Sequence, residues 1–373
     1  MKKICLIGNN GFGAPVFDGQ RIKVRTYKNV LESEGFDVQL VELDKPAKRI
    51  FKIFSQIKKR IKECDIIVLI TSDNGERLLI PYINRINKKY HKRFVFSQIG
   101  TSFLFKHIKD LSEEEKRAFF HEHNFGKQKP KNKVIKNLKK IDVILTETDL
   151  INSAFAKFFE LDNCYAVTNF RVYDQEESKQ DRVCENKLVY LSRITAKKGI
   201  FDLLGVLKDI KEKHGLNAPL DIYGTLYLSE EEKKEFDLYL DENIRYCGEL
   251  NPTQTIDTLK QYDLLCFPTK CEGEGTPGCI VESLIAGTPV LSSNFTQSDE
   301  LLNNGVDSLI YEFGNIKNMK EKVISFLNKK VDYKALRSGA SKSGAKFTYR
   351  YNRDKFLKLI IGEDKWKEAL FTK

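Results

Sequence analysis

The chain has 373 residues, 41% of them hydrophobic and 31% charged, which suits two domains with a core each and excludes extensive disorder. No run approaches the ~20 apolar residues of a membrane span, and after the basic Met1-Lys2-Lys3 the apolar Ile4–Ile7 is too short for a secretory signal, so a cytoplasmic chain is expected. The net charge of +11 is uneven: residues 1–170 carry 32 Lys and Arg against 20 Asp and Glu, residues 171–373 carry 31 against 32, so the first half suits an anionic partner such as a nucleic acid, an anionic membrane surface or a phosphorylated substrate.

Short apolar runs at Lys3–Gly8, Val38–Leu43, Asp65–Ile70, Arg93–Ser97 and Val143–Leu145 read as buried parallel strands. Amphipathic stretches such as Gln20–Glu34 and Ala47–Glu63 separate them, which predicts βαβ units in a doubly wound sheet. The loop Asn9–Gly19 after the first strand holds Gly11, Gly13 and Gly19 but no G-x-G-x-x-G fingerprint. Lys-rich Ser112–Lys140 predicts surface helix and loop, with His121 and His123 on a surface helix. Polar, aperiodic Tyr173–Asn186 is the expected linker.

A second alternation begins at Lys187. Strands are predicted at Leu188–Leu191, Leu220–Tyr223, Ile244–Tyr246, Leu264–Phe267 and Pro289–Ser292, with Ile200, Leu203, Leu204 and Leu207 on one face of a helix. The predicted fold class is therefore α/β, with two Rossmann-like domains facing across a cleft at the carboxyl ends of their strands. The expected boundaries are 1–170 and 171–349, with a C-terminal helix at about 350–373 packing back on the first domain. The eight cysteines include no C-x-x-C pair, which predicts neither a zinc site nor a disulfide framework.

The densest chemistry lies in Glu272-Gly-Glu-Gly-Thr-Pro-Gly-Cys-Ile-Val-Glu282, followed by Ala286-Gly287-Thr288-Pro289-Val290. It follows a predicted strand. Gly273 and Gly275 permit tight turns and close approach of a ligand. Thr276 is the expected N-cap and Pro277 the expected first helical residue, with Gly278 beside them. The helix N-terminus would then offer N–H groups to a phosphate. Glu274 lies before the helix and Glu282 about two turns in. Two carboxylates at different depths can bind different hydroxyls of one sugar nucleotide, with its diphosphate between them. A second constellation, Ser192-Arg193 through Lys198-Gly199, also joins a strand to a helix. Arg193 and Lys198 are suited to neutralise a diphosphate.

Together these motifs resemble the family 4 glycosyltransferases, retaining enzymes of the GT-B fold. The family pattern of a Glu, seven residues and a second Glu, then G-x-P-V, is matched by Glu274, Glu282 and Gly287–Val290. Its upstream G-R-x4-K-G is matched except that Ser192 stands for the first Gly. The E-G-E-G-x-P-G form is similar to that of bacterial polysaccharide-assembly enzymes. The resemblance covers residues 185–310 well and the first domain only in outline. It implies that Glu274 contacts the donor sugar, that Glu282 holds the ribose, and that Arg193 and Lys198 bind the diphosphate. The Gly275–Gly278 backbone would lie against the phosphates or sugar. The eight-residue offset selects Glu274 over Glu272 for the first role.

The resemblance also places the acceptor on the first domain, where Gly19, Gln20 and Lys23 are candidates, with a capped helix bearing an exposed basic face as the alternative. No histidine of the sequence matches a catalytic position. The implied activity is retaining transfer of a hexose from a nucleotide-sugar, UDP-linked by preference, to a saccharide or lipid-linked saccharide acceptor. No metal or other cofactor is implied. Peripheral contact of the basic first half with an anionic membrane is expected, assisted by any exposed side chains among Phe103–Phe105 or Phe119–Phe120, whose default reading is core packing. No nucleic-acid partner is expected, since no recognition motif accompanies the charge. The competing readings are a GT-B sugar-nucleotide epimerase or phosphorylase and a non-catalytic scaffold binding a nucleotide-sugar or an anionic surface.

Overall fold

A computed structural model describes residues 1–11, 19–43, 46–174, 183–271 and 273–362, with backbone only at 46–48, 73–74, 105 and 113. The chain divides into two compact units, Met1–Val172 joined by the segment from Tyr349 onward, and Tyr173–Thr348. Among the described residues no helix is long and apolar enough to cross a membrane. The described part of the expected linker is 173–174 and 183–186; the rest of it and residues 363–373 lie outside.

The first unit is built on six parallel strands: β1 (Lys3–Gly8), β2 (Asp37–Glu42), β3 (Ile66–Thr71), β4 (Arg93–Gln98), β5 (Val143–Thr146) and β6 (Cys164–Ala166). Their order is β2-β1-β3-β4-β5-β6. β3, Ile-Ile-Val-Leu-Ile-Thr, is buried at every position, as expected where helices cover both faces of a parallel sheet. The register runs Ile4↔Val38 on one side of β1 and Ile4↔Ile66 on the other. β6 was not anticipated. It is a three-residue edge strand whose middle residue is exposed, too short to show a pattern.

The helix Tyr349–Ile361 belongs to this first unit. Its Phe356, Leu357, Ile360 and Ile361 pack with Ile4, Leu6, Tyr27, Val95 and Phe170 under one face of the sheet. Polar contacts fix its register. Arg353 forks onto Glu34 at 2.7 and 2.6 Å, and Arg93 donates to the carbonyls of Ile360 at 3.0 Å and Leu359 at 2.9 Å.

The opposite face holds an aromatic core in which Phe103, Phe119 and Phe120 are 7%, 0% and 1% exposed. Their burial agrees with core packing and rules out lipid contact for those three: Phe103 meets Phe155 and Phe159, Phe119 meets Phe125 and Phe158, and Phe120 meets Phe119. The side chain of residue 105 lies outside the description. His121 is exposed on a single wide helical turn, Ala118–Glu122, that ends at His123.

The second unit repeats the plan with β7 (Leu188–Leu191), β8 (Leu220–Tyr223), β9 (Ile244–Tyr246), β10 (Leu264–Phe267), β11 (Val290–Ser293) and β12 (Ser308–Tyr311), in the order β12-β11-β10-β7-β8-β9. All pairs are parallel. β12 was also unanticipated; it lies at the edge beside β11. The helix Gly278–Ile285 packs against Tyr333–Gly344 at a point where a Cβ on Gly344 would stand 2.2 Å from the Leu284 carbonyl oxygen. Only a residue without a side chain lets the two backbones approach so closely. All eight cysteines are free thiols.

Phe356 is fully buried against Tyr27, Phe170 and Tyr349. Phe356→Ala is expected to destabilise the first unit by about 3–5 kcal/mol, read as a lowered urea midpoint of that unit's transition.

Candidate functional site

Two loops at the carboxyl ends of β7 and β10 are fastened to each other. After β7 the chain turns through Ser192–Thr195 into a short 3-10 turn, Ala196–Lys198, which Thr195 caps by accepting from the Lys198 N–H at 3.3 Å. Gly199 then adopts φ +76° and opens the helix Ile200–His214. A Cβ on Gly199 would stand 1.8 Å from the Pro268 carbonyl oxygen. The glycine is thus required twice, by its left-handed backbone and by the approach of the β10 loop. Gly224, after β8, meets the same condition: φ is +145° and a Cβ would stand 1.8 Å from the Ser192 carbonyl oxygen. Two further bonds close the seam. The Lys270 N–H donates to the Lys197 carbonyl at 2.8 Å, and Lys270 pairs with Asp202 at 2.7 Å.

This seam brings together two of the predicted site residues. Lys198, 9% exposed, donates from Nζ to Oε1 of Glu274, also 9% exposed. Thr269 Oγ1 donates to the same carboxylate oxygen at 2.7 Å. Thr269 is itself held: its carbonyl accepts from Ser293 Oγ at 2.8 Å, and its Oγ1 accepts from the Cys271 N–H at 3.1 Å. The Phe267 ring lies 5.3 Å from Lys198 Nζ. A buried Lys–Glu pair is costly unless further hydrogen bonds satisfy it, and Thr269 supplies one.

Glu282 is 7% exposed within the helix Gly278–Ile285. The charges of Lys198, Glu282 and Glu274 all act on the thiol of Cys279. Cys279 therefore marks the ground shared by the three. Its burial dominates, and the thiol pKa is pushed up to about 12.

The helix begins one residue later than the sequence predicts. Pro277, with φ −61° and ψ 127°, is the N-cap, and Gly278 is the first helical residue. The correction has a direct cause: the Pro277 backbone is extended, so Thr276 is displaced out of the cap position into the buried loop, 5% exposed. Proline has no side-chain acceptor to cap the helix. The first N–H groups therefore lack the partner that a Thr cap would have given them.

The A-G-T-P-V segment serves the scaffold. Gly287 at φ +70° ends the helix. Ser283 Oγ donates to the Thr288 carbonyl and Thr288 Oγ1 to the Leu259 carbonyl, each at 2.7 Å, fixing entry into β11.

The remaining candidates make no hydrogen bond or ion pair to Lys198 or Glu274 among the described side-chain contacts. Arg193 is exposed and makes no hydrogen bond or ion pair through its side chain among the described residues, while its carbonyl accepts from the Tyr190 hydroxyl at 3.2 Å. Gly275 and Pro277 are buried and Gly278 half-buried. Glu272, Gly13 and the middle of the Asn9–Gly19 loop lie outside the described residues.

In the first unit Gly19 is exposed and Gln20 half-buried at the start of the helix Gly19–Ser33. Lys23 is 2% exposed, and its Nζ donates to the Gln98 carbonyl at 2.8 Å and to Glu147 at 3.1 Å. Its charge is thus held at the carboxyl ends of β4 and β5 rather than on an exposed face.

Sequence reading missed Thr269, Phe267, Ser293 and Glu147. The first three follow or end strands β10 and β11 and could have been sought there; Glu147 directly follows β5. Among the described residues no group of three His, Cys, Asp or Glu is arranged to hold a metal ion.

Residues 174–343 match the family model described as Glycosyl transferases group 1. The capsular polysaccharide biosynthesis glycosyltransferase CapM of Staphylococcus aureus is 27% identical over 172 residues, 46% of this chain and 42% of CapM. The match thus spans less than half of that relative's length. Among solved structures, Anabaena HepE in complex with UDP superposes with a TM-score of 0.66 at 13% identity, over 96% of this chain and 99% of HepE. Sucrose-phosphate synthase of Thermosynechococcus elongatus reaches 0.68 at 13% identity, over 100% of this chain and 99% of that one. The fold is GT-B, and the family match lies within the second unit.

Two outcomes test the seam. Gly199→Ala is expected to destabilise the second unit by at least ~1–3 kcal/mol, from the left-handed backbone alone, measured by thermal melting. With a thiol pKa of about 12, roughly one Cys279 in ten thousand is thiolate at pH 8. Iodoacetamide mapping by mass spectrometry should therefore find Cys279 unlabelled while exposed Cys247 reacts.

Proposed function

We propose, taking the group 1 domain at residues 174–343 as premise, that this chain is a retaining glycosyltransferase of polysaccharide assembly. Its donor is a nucleotide-sugar, UDP-linked by preference. The observation that carries the reading is the fastened pair of loops that holds Lys198 and Glu274 together beside an N-terminus capped only by Pro277. HepE was crystallised with UDP and with UDP-glucose, and CapM is named for capsular polysaccharide biosynthesis; both support the substrate class.

In this reading the donor diphosphate lies against the N-terminus of the helix Gly278–Ile285, where dipole and free N–H groups favour anions. Lys198 and Arg193 supply the remaining positive charge, and no metal is required. Glu282 binds the ribose hydroxyls. Glu274, aligned by Lys198 and Thr269, binds hydroxyls of the donor sugar. During transfer the bond from the anomeric carbon to the diphosphate oxygen breaks, and the acceptor hydroxyl oxygen bonds to the same face of that carbon. The acceptor proton passes to the leaving diphosphate oxygen. No side chain acts as nucleophile, so Glu274 and Glu282 are binding groups rather than the acid/base pair of a glycosidase. Stabilisation of the developing diphosphate charge is the main catalytic contribution.

The acceptor is a saccharide or lipid-linked saccharide held by the first unit. The polar set Lys23, Gln98 and Glu147 at the carboxyl ends of β4 and β5 supports that assignment, since ligands of open α/β sheets bind there.

The first experiment is a thermal-shift screen against UDP, GDP, CDP and ADP and their sugar conjugates. One nucleotide family is expected to raise Tm, with about 2.7 kcal/mol of stabilisation at 100 times Kd, and Glu282→Ala should abolish the response. No shift with any nucleotide would sink the donor reading. With the donor known, Glu274→Gln should lower kcat about 10²–10³-fold at unchanged nucleotide affinity, and NMR of the early product should show the donor's anomeric configuration. Inversion, or full turnover in Glu274→Gln, would refute the mechanism.

A further inference from the structure

Two helices on one face of the first unit carry the same outward pattern. Pro46–Glu63 joins β2 to β3, and Asp73–Tyr90 joins β3 to β4; each has 18 residues. Inward, Ile53, Ile57 and Ile61 of the first and Leu79, Ile80 and Ile83 of the second enter one core. Side by side, the Phe54 and Tyr82 rings meet at 4.4 Å, and the Tyr82 hydroxyl donates to the Phe54 carbonyl at 2.9 Å.

Outward, helical geometry returns offsets of seven and eleven residues to nearly one line. Phe51, Lys58 and Lys62 therefore share a stripe, and so do Leu78, Arg85 and Lys89. Phe51 and Leu78 are each the sixth residue of their helix. They are 87% and 49% exposed. Lys52, Lys59 and Lys88 flank the stripes, and all these cations are exposed. None of the seven makes an ion pair or hydrogen bond among the described residues. Some helical lysines elsewhere are neutralised one turn away, as in Lys28–Glu32 at 2.7 Å and Lys233–Asp237 at 2.9 Å. On these two helices the one exposed carboxylate among the described side chains is Glu63, which pairs with Arg60 at 3.2 Å.

We propose that this two-helix face docks on an anionic lipid bilayer. Phe51 and Leu78 enter the interfacial layer and the seven cations meet the headgroups. An unneutralised basic face with a large apolar residue at the same position of adjacent helices fits a surface that is both anionic and apolar. A nucleic acid offers phosphates but no apolar layer for Phe51 and Leu78. The proposal deepens the reading of a membrane-side, lipid-linked acceptor, and it rests on that reading only for its purpose.

The test is sedimentation of the full chain with vesicles of phosphatidylglycerol and phosphatidylcholine mixed, or of phosphatidylcholine alone. Binding is expected to the mixed vesicles only and to weaken with salt. The double variant Phe51→Ser/Leu78→Ser and the quadruple variant Lys58→Gln/Lys62→Gln/Arg85→Gln/Lys89→Gln should each lower the partition at least tenfold, with circular-dichroism melting and the nucleotide thermal shift unchanged. Equal binding to neutral vesicles, or partition unaffected by either variant, would overturn the proposal. So would competition by duplex DNA together with vesicle binding that ignores Phe51 and Leu78. Vesicle binding without any nucleotide response would support this surface while refuting the donor reading, because the two lie in different units.

Discussion

The approach of Gly199 to the Pro268 carbonyl is the constraint on which the second unit's chemistry depends. It joins two loops that belong to adjacent strands, β7 and β10, but are about 70 residues apart in sequence. Once they are in contact, the Lys270–Lys197 backbone bond and the Lys270–Asp202 pair hold the joint. Lys198 is then delivered to Glu274 without either side chain having to search for the other. The charge pair is the visible result, but backbone sterics create it. The same device recurs one strand over, where Gly224 lies against Ser192, so both flanks of the β7 loop are set by residues that tolerate no Cβ.

The helix that follows Glu274 is fixed from behind by comparable means. Gly344 allows a neighbouring helix to touch the Leu284 backbone, while Ser283 and Thr288 tie the helix end to β11 and to the segment at Leu259. Polar side chains here satisfy backbone groups that burial would otherwise leave unpaired. The helix itself starts at a cap that contributes no acceptor. A rigid rear and an uncapped front belong to the same arrangement.

Much of this was legible in the residues. Ten of the twelve strands lie close to apolar runs that a parallel sheet demands, and the two that escaped notice, β6 and β12, are short edge strands. Glu274 and Lys198 were selected by spacing and stand in contact. What the sequence could not express is partnership across long separations. Nothing near Lys23 in the chain announces Glu147, 124 residues away, and nothing near Glu274 says that Thr269 will share its oxygen. The cap offset at Thr276 and Pro277 is a conformational choice between neighbouring residues, each of which has a sound local preference. Core packing was the default reading of Phe119 and Phe120, but the sequence did not name Phe158 as the ring that Phe119 packs against.

The return of the helix Tyr349–Ile361 to the first unit makes that unit discontinuous in the chain. During synthesis, residues up to Val172 would leave the ribosome with the apolar surface of Tyr27, Phe170 and Val95 lacking its cover. Some 177 residues separate Val172 from Tyr349, which at 5–20 residues per second is a wait of roughly 9–35 s. The whole second unit is made within that interval and can fold before the first is complete. This late-made helix therefore acts as a latch. Truncation before Tyr349 would leave the second unit whole and expose an apolar face on the first, the kind of surface that chaperones and proteases recognise.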